Sequence, residues 1–204
     1  MKKLLATFCM LLLAGVARAQ DVAPDALIKR ISDDVISVTK QDKDIRAGDR
    51  KKIDALVDTK VLPYFNFARM TALAVGRNWR RANAAQQSAL ITEFRNLLVH
   101  TYSGALSAYK DAAIEFKPPH AAPGDTDVTV RTRIKRSGSE PIGIDYSMEQ
   151  TAGGWKVYDV VVGGVSLVTN YRDTFNKEVH DGGVDGLIKS LASKNRSLQV
   201  ESGS

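Results

Sequence analysis

The residues able to do acid–base, nucleophilic or metal chemistry are few, and their spacing suits none of it. The chain has three histidines, His100, His120 and His180, and one cysteine, Cys9. No two histidines stand at metal-ligand spacing. The Asp33-Asp34 and Asp125/Asp127 pairs fit a helix surface and a turn more simply than a cation site. Gly164-Val165-Ser166-Leu167-Val168 follows an apolar run and precedes a helical pattern, as a nucleophile elbow does. An elbow needs glycine at its last position and Val168 stands there, so Ser166 reads as a helix cap. Gly182-Gly183-Val184-Asp185-Gly186 lacks the Lys-Ser/Thr of a phosphate loop. The expectation is no catalytic residue, no metal and no cofactor. One acid–base pair stays open, Asp159 with Tyr158, should they share a cavity floor where burial raises the carboxyl pKa.

Two segments are unusual in another way. In Pro63-Tyr64-Phe65-Asn66-Phe67-Ala68-Arg69-Met70 and in Trp79-Arg80-Arg81, bulky apolar groups stand beside cations. From Trp155 to Arg172 a strand that is apolar on both faces runs into a helix start carrying an arginine. Two readings fit. One is a central strand with a solvated basic edge formed by Arg77, Arg80 and Arg81. The other is an apolar cavity with basic groups near its mouth, suited to an amphiphile with an anionic head.

The elements that must position these residues follow from hydrophobic period. From Pro24, a residue tolerated in a first helical turn, Leu27, Ile28, Ile31, Val35 and Val38 mark one helical face. A charged linker is expected over Lys40 to Gly48. A second helix carries Ile53, Leu56, Val57 and Val61, and Pro63 stops it. Asn66 caps a short helix ended by Gly76. Asn83 with Gln86 forms a capping box for a long helix whose stripe runs from Leu90 to Tyr109. The period then becomes 2: a short strand at Ile114 and Phe116, an alternating strand from Val128 to Lys135, another at Ile142 to Met148, and the apolar Trp155 to Val162. Leu167, Val168, Tyr171, Phe175 and Val179 mark a helix, and Val184, Leu187, Ile188 and Leu191 a last one, with a loose polar tail from Ser193. Helices, then strands, then helices is an α+β order, with helices packed on one face of a curved antiparallel sheet.

Composition is that of an ordinary globular chain: 204 residues, 44% apolar, 25% charged and 7% aromatic. Disordered, collagen-like and disulfide-framework classes are therefore excluded. The formal charge of +6 and pI near 9.4 would admit nucleic acid or anionic membrane as partners. However, Met1-Lys2-Lys3, the apolar run Leu4 to Val16 and Ala17-Arg18-Ala19 read as a secretory signal peptide cut after Ala19. The run is too short to span a bilayer, which needs roughly 20 residues. Cleavage of those 19 from 204 leaves 185 residues, and the loss of Lys2, Lys3 and Arg18 lowers the charge from +6 to +3. Cys9 goes too, so the exported protein has no disulfide and depends on packing. At +3, nucleic acid is not expected as a partner. The expected organisation is a signal peptide over 1–19, one domain over 20–195 and a polar, disordered tail over 196–204.

Three stretches resemble the MlaC family, also called the toluene-tolerance auxiliary family. They are Phe67-Ala68-Arg69-Met70-Thr71-Ala72-Leu73-Ala74-Val75-Gly76-Arg77-Asn78-Trp79-Arg80-Arg81-Ala82, the Gln87–Tyr102 helix with Phe94 and Leu98, and Trp155-Lys156-Val157-Tyr158-Asp159-Val160 through Gly164-Val165-Ser166-Leu167-Val168 to Asn170-Tyr171-Arg172-Asp173-Thr174-Phe175. The likeness runs from about Pro24 to about Leu191. One departure is Gly163, where the family pattern has an acidic residue. The resemblance implies a monomeric periplasmic phospholipid carrier of Gram-negative bacteria. It would pass lipid between an outer-membrane lipoprotein–porin complex and an inner-membrane ABC transporter with an MCE-domain subunit, maintaining outer-membrane lipid asymmetry. It also implies a nuclear-transport-factor-like cone, with helices wrapped on a curved sheet around an apolar cavity and the headgroup at the surface.

Two acyl chains hold on the order of 30 methylenes, so their transfer from water is favourable by about 24 kcal/mol. Such cargo must move through docked complexes, and its pocket should be dry and near ~1,000 Å³. Expected lining residues are Phe67, Met70 and Leu73, then Phe94, Leu98 and Tyr102. From the strands come Ile144, Tyr146 and Met148, then Val157, Val160 and Val162, followed by Val165 and Leu167. Ordinary core packing is the alternative for each. Arg80, Arg81 and Arg172 are the candidates for phosphate contact or docking. An exported enzyme acting on an apolar molecule, and an envelope adaptor with a filled core, are the rival functions.

Overall fold

The computed structural model describes residues 22–105, 112–118, 122, 124–136 and 138–203. Helices come first. Helix α1, Pro24–Gln41, opens on its proline and buries Leu27, Ile28 and Val35. The segment expected as a linker holds one helical piece, α2, Lys43–Ala47, because Asp42 accepts hydrogen bonds from the amides of Asp44 and Ile45 and Gly48 closes it at φ 93°. Helix α3 spans Arg50–Lys60, and Pro63 falls in a 3-10 turn, Leu62–Tyr64. Asn66 accepts from the Arg69 amide to cap α4, Phe67–Val75, and Gly76 ends it at φ 60°. The Asn83/Gln86 capping box starts α5, Ala84–Tyr102; Tyr109, expected on its stripe, lies outside the described residues.

Strands β1 (Ala113–Phe116), β2 (Asp127–Lys135), β3 (Ile142–Thr151), β4 (Gly154–Val162) and β5 (Val165–Ser166) form an antiparallel sheet in that order. The fold is thus the expected α+β, with β5 as an unforeseen strand. Its two-residue connection, Gly163-Gly164, has φ 58° and 88°, as a type I′ hairpin turn requires. The same conformation suits an acidic residue at the first turn position, so glycine at Gly163 preserves the turn. Leu167 and Val168 therefore belong to a hairpin exit rather than a helix. A 3-10 turn, Thr169–Tyr171, leads into α6, Arg172–Gly203, which bends at Gly183. That helix continues through the segment expected to be a loose tail. Asn195 is buried and donates to the Glu93 carbonyl on α5 at 2.9 Å, while Leu198 packs on the helical core.

A β-bulge sets the faces of β4. Ser147 pairs with Asp159 and Met148 with Val157, leaving Tyr158 unmatched. Strict alternation would put Val157 and Val160 on opposite faces; the extra residue puts both on the inner one. Side chains then line up across the sheet as Val128–Met148–Val157, Val130–Tyr146–Val160 and Thr132–Ile144–Val162. The inner face packs against Leu27 and Ile28 of α1. A second core joins α4, α5 and α6 through Met70, Leu90, Phe94, Phe175 and Leu187.

Candidate functional site

Two apolar cavities lie between the layers. The first, about 230 Å³, is bounded by Ile28, Ile31, Ser32, Val35, Ile36 and Thr39 of α1, by Val61 and Phe65, and by Ile114, Ile134, Ile144, Tyr146 and Val160 of the sheet. The second, about 160 Å³, is bounded by Val57, Val61, Leu62, Phe65, Phe67, Met70, Leu98, Val99, Tyr102, Ser103, Val160 and Leu167. Each is smaller than the ~1,000 Å³ expected, so two full chains do not fit in either as it stands.

Two of the polar groups on the walls are satisfied locally. Thr39 donates to the Val35 carbonyl at 2.8 Å, and Ser103 donates to Asp54 at 2.9 Å. Asp54 also pairs with Arg50, whose guanidinium donates to the His100 carbonyl at 2.8 Å near the end of α5. Behind the second cavity, burial first and then a hydrogen bond with Tyr102 push the Tyr171 phenol well above the ordinary tyrosine range. The Tyr171 phenol thus stays neutral well into the alkaline range.

Helix α4 is held on the sheet by charge. Arg69 donates to Glu149 at 2.7 Å and to Asp127 at 2.8 Å, and its guanidinium lies 3.5 Å from the centre of the Tyr158 ring. Tyr158 donates to Asp127 at 2.7 Å, and Asn66 to Glu149 at 2.7 Å. This network fixes Phe67 and Met70 at the cavity wall.

Eight of the expected residues come together here: Phe67, Met70, Leu98, Tyr102, Ile144, Tyr146, Val160 and Leu167. Others are placed elsewhere. Phe94 is fully buried in the helical core, edge-on to Tyr171 and Phe175, and Leu73 packs on the same core. Met148 and Val157 are fully buried in the sheet core and Val162 packs against it. Val165 is 54% exposed on the β5 hairpin. Arg80, Arg81 and Arg172 bound neither cavity: Arg81 donates to Asn78 at 3.4 Å, and Arg172 caps the Leu73 carbonyl at 3.0 Å.

The residues missed are instructive. Ile31 and Val35 read as one helix's core face and Val61 as part of the second helix's, while Ile36 fell on no apolar stripe and Phe65 stood in the irregular stretch before the Asn66 cap. Only tertiary packing reveals them as walls.

The acid–base candidate is structurally committed. Asp159 accepts from the Val160 amide at 2.8 Å, the Ser166 hydroxyl at 2.6 Å and the Val168 amide at 3.3 Å. Ser166 in turn accepts from the Thr169 amide at 2.9 Å, capping the 3-10 turn. Neither Asp159 nor Tyr158 bounds either cavity. Among the described residues no cluster of His, Cys, Asp and Glu could hold a metal, and no helix is long and apolar enough to cross a membrane.

Comparison with known proteins bears on this arrangement. The family model for the MlaC protein matches residues 29–193. The chain belongs to the MlaC family. A relative, the intermembrane phospholipid transport system binding protein MlaC of Haemophilus influenzae, is 24% identical over 178 residues, 84% of this chain and 81% of its own. The toluene tolerance protein ttg2D of Pseudomonas putida is 26% identical over 106 residues, 52% of this chain and 49% of its own. Among solved structures, a phospholipid-binding protein from Ralstonia solanacearum in complex with a phospholipid superposes with a TM-score of 0.81 at 38% identity, covering 88% of this chain and 99% of that one. The matched span takes in every residue bounding the two cavities except Ile28.

Proposed function

We propose that the chain is a periplasmic phospholipid carrier whose cargo's acyl chains lie in the two apolar cavities between α1, the Pro63–Phe67 segment and the sheet. The observation that carries this is a pair of cavities with almost purely aliphatic and aromatic walls, in a chain 38% identical to a protein solved with a bound phospholipid. The family match supports the same role. Buried chains would gain ~0.8 kcal/mol per methylene, and no unsatisfied wall group need oppose them where Thr39 and Ser103 are already bonded.

The carrier is exported by its signal peptide, cleaved after Ala19. It exchanges lipid only when docked, between an outer-membrane lipoprotein–porin complex and an inner-membrane ABC transporter with an MCE-domain subunit. It acts as a monomer and not as an enzyme; the commitment of Asp159 to Ser166 supports that part of the reading. Organic extraction of the purified mature protein followed by mass spectrometry is the test. Stoichiometric co-purified phospholipid is expected. No lipid on extraction, together with no uptake from vesicles, would overturn the proposal.

A further inference from the structure

The two cavities share three wall residues: Val61 at the end of α3, Phe65 between the 3-10 turn and α4, and Val160 just past the β4 bulge. On one side of these lie Ile31, Val35 and Ile134; on the other, Met70, Leu98 and Tyr102. Phe65 is held as a fixed partition. Its amide donates to the Leu62 carbonyl at 3.1 Å, and it forms a parallel bridge with Val157. Its ring stacks on Phe67 with centroids 5.9 Å apart. A side chain pinned through its own backbone and by its neighbour's ring does not swing aside as a free rotamer would.

We infer that Phe65, backed by Val61 and Val160, is a septum between two acyl channels, so that a two-chain lipid sits astride it with one chain on the α1 side and the other on the α5 side. This rests on the carrier function proposed above and adds a selectivity to it. A lipid with one chain fills a single channel and leaves the other's apolar wall uncovered. Two single-chain lipids can occupy the two channels independently. Phe65 is then a specificity-determining residue for chain number, acting through shape alone.

The test is native mass spectrometry of the delipidated mature protein, titrated with 1-palmitoyl lysophosphatidylethanolamine and with dipalmitoyl phosphatidylethanolamine. The wild-type protein is expected to take up to two single-chain lipids or one two-chain lipid, and to prefer the latter by about tenfold or more in direct competition. Phe65→Ala, and the milder Phe65→Leu should the former fold poorly, is expected to lose most of that preference while still binding lipid. Wild-type binding of only one single-chain lipid, or an unchanged preference in either folded variant, would overturn the septum and leave the carrier intact. Failure to bind either lipid would defeat the carrier function, and the septum with it.

Discussion

The amide of Asn66 donates to the carbonyl of Val157 at 2.8 Å, extending the edge of β4 with a stretch of chain that is neither helix nor strand. The other end of that edge is covered by β5, through Val161–Ser166 and Val162–Val165. Covering an edge at both ends leaves little of it free to recruit a foreign strand. It also makes β4 the common support for the Phe65 region and for the hairpin leading to α6.

Wall and surface positions should respond differently to charge. Ile31→Asp places a carboxylate in the first cavity and is expected to give a folded protein with lipid content reduced at least severalfold, because a charge cannot be solvated among chains. Val165→Asp, on the exposed hairpin, should leave lipid content unchanged. Circular dichroism confirms folding and extracted lipid per protein is the readout; equal content in both variants would contradict the cavity assignment.

Replacing Arg69 tests the clamp on α4. Lysine keeps the charge but loses the two-carboxylate fork and the stacking on Tyr158. Arg69→Lys is expected to cost about 1–2 kcal/mol in urea unfolding. A change below the error of the fit would show that the network contributes nothing net.

Alkaline stability should depend on Tyr171. Its phenol is raised above the ordinary value of 10 by burial and by the hydrogen bond with Tyr102. The folded state thus holds its proton where the unfolded chain has lost it. Stability is fully present below pH 10 and declines as pH rises above it. Tyr171→Phe removes this contribution, so its stability curve between pH 9.5 and 11, on the order of the range where free phenols ionise, should fall less steeply than that of the wild type. Parallel curves would remove Tyr171 as a cause.

Gly183 adopts φ 69° and ψ −174°, a backbone conformation open essentially to glycine alone, and no atom lies within 4 Å of where a Cβ would be. Gly183→Ala is therefore expected to cost about 1–3 kcal/mol through backbone strain without a clash. Gly182→Ala, one residue earlier with no such φ, should be close to neutral or mildly stabilising. Thermal melts of the two variants make the comparison.

Most of the fold was legible in the chain because its signals are local. The Asn83–Gln86 box, the Asn66 cap, Pro63 and the alternation of β2 and β3 each act within a few residues. The cavity was legible only in part. Spacing identifies which residues are apolar, but a wall and a core obey the same period, so Phe94 and Leu98, both on α5, could be separated only by what packs opposite them. The continuation of α6 past Ser193 was hidden because its polar surface conceals two isolated inward contacts, Asn195 and Leu198. One of the positive charges illustrates a related limit: Arg172 donates to the Leu73 carbonyl of α4, a contact that leaves no trace in sequence.

The unmatched Tyr158 gives β4 two frames joined in mid-strand. Removing that one residue would close the bulge and leave Val157 and Val160 two positions apart, still on the inner face. Removing a residue from either flanking run, Trp155–Val157 or Val160–Val162, has no bulge to absorb it and would act as a frameshift in three dimensions, turning the side chains beyond it to the wrong side of the sheet. Insertions in the Gly138 turn between β2 and β3 would have no such reach, so variation in length should be tolerated there and excluded from those two runs.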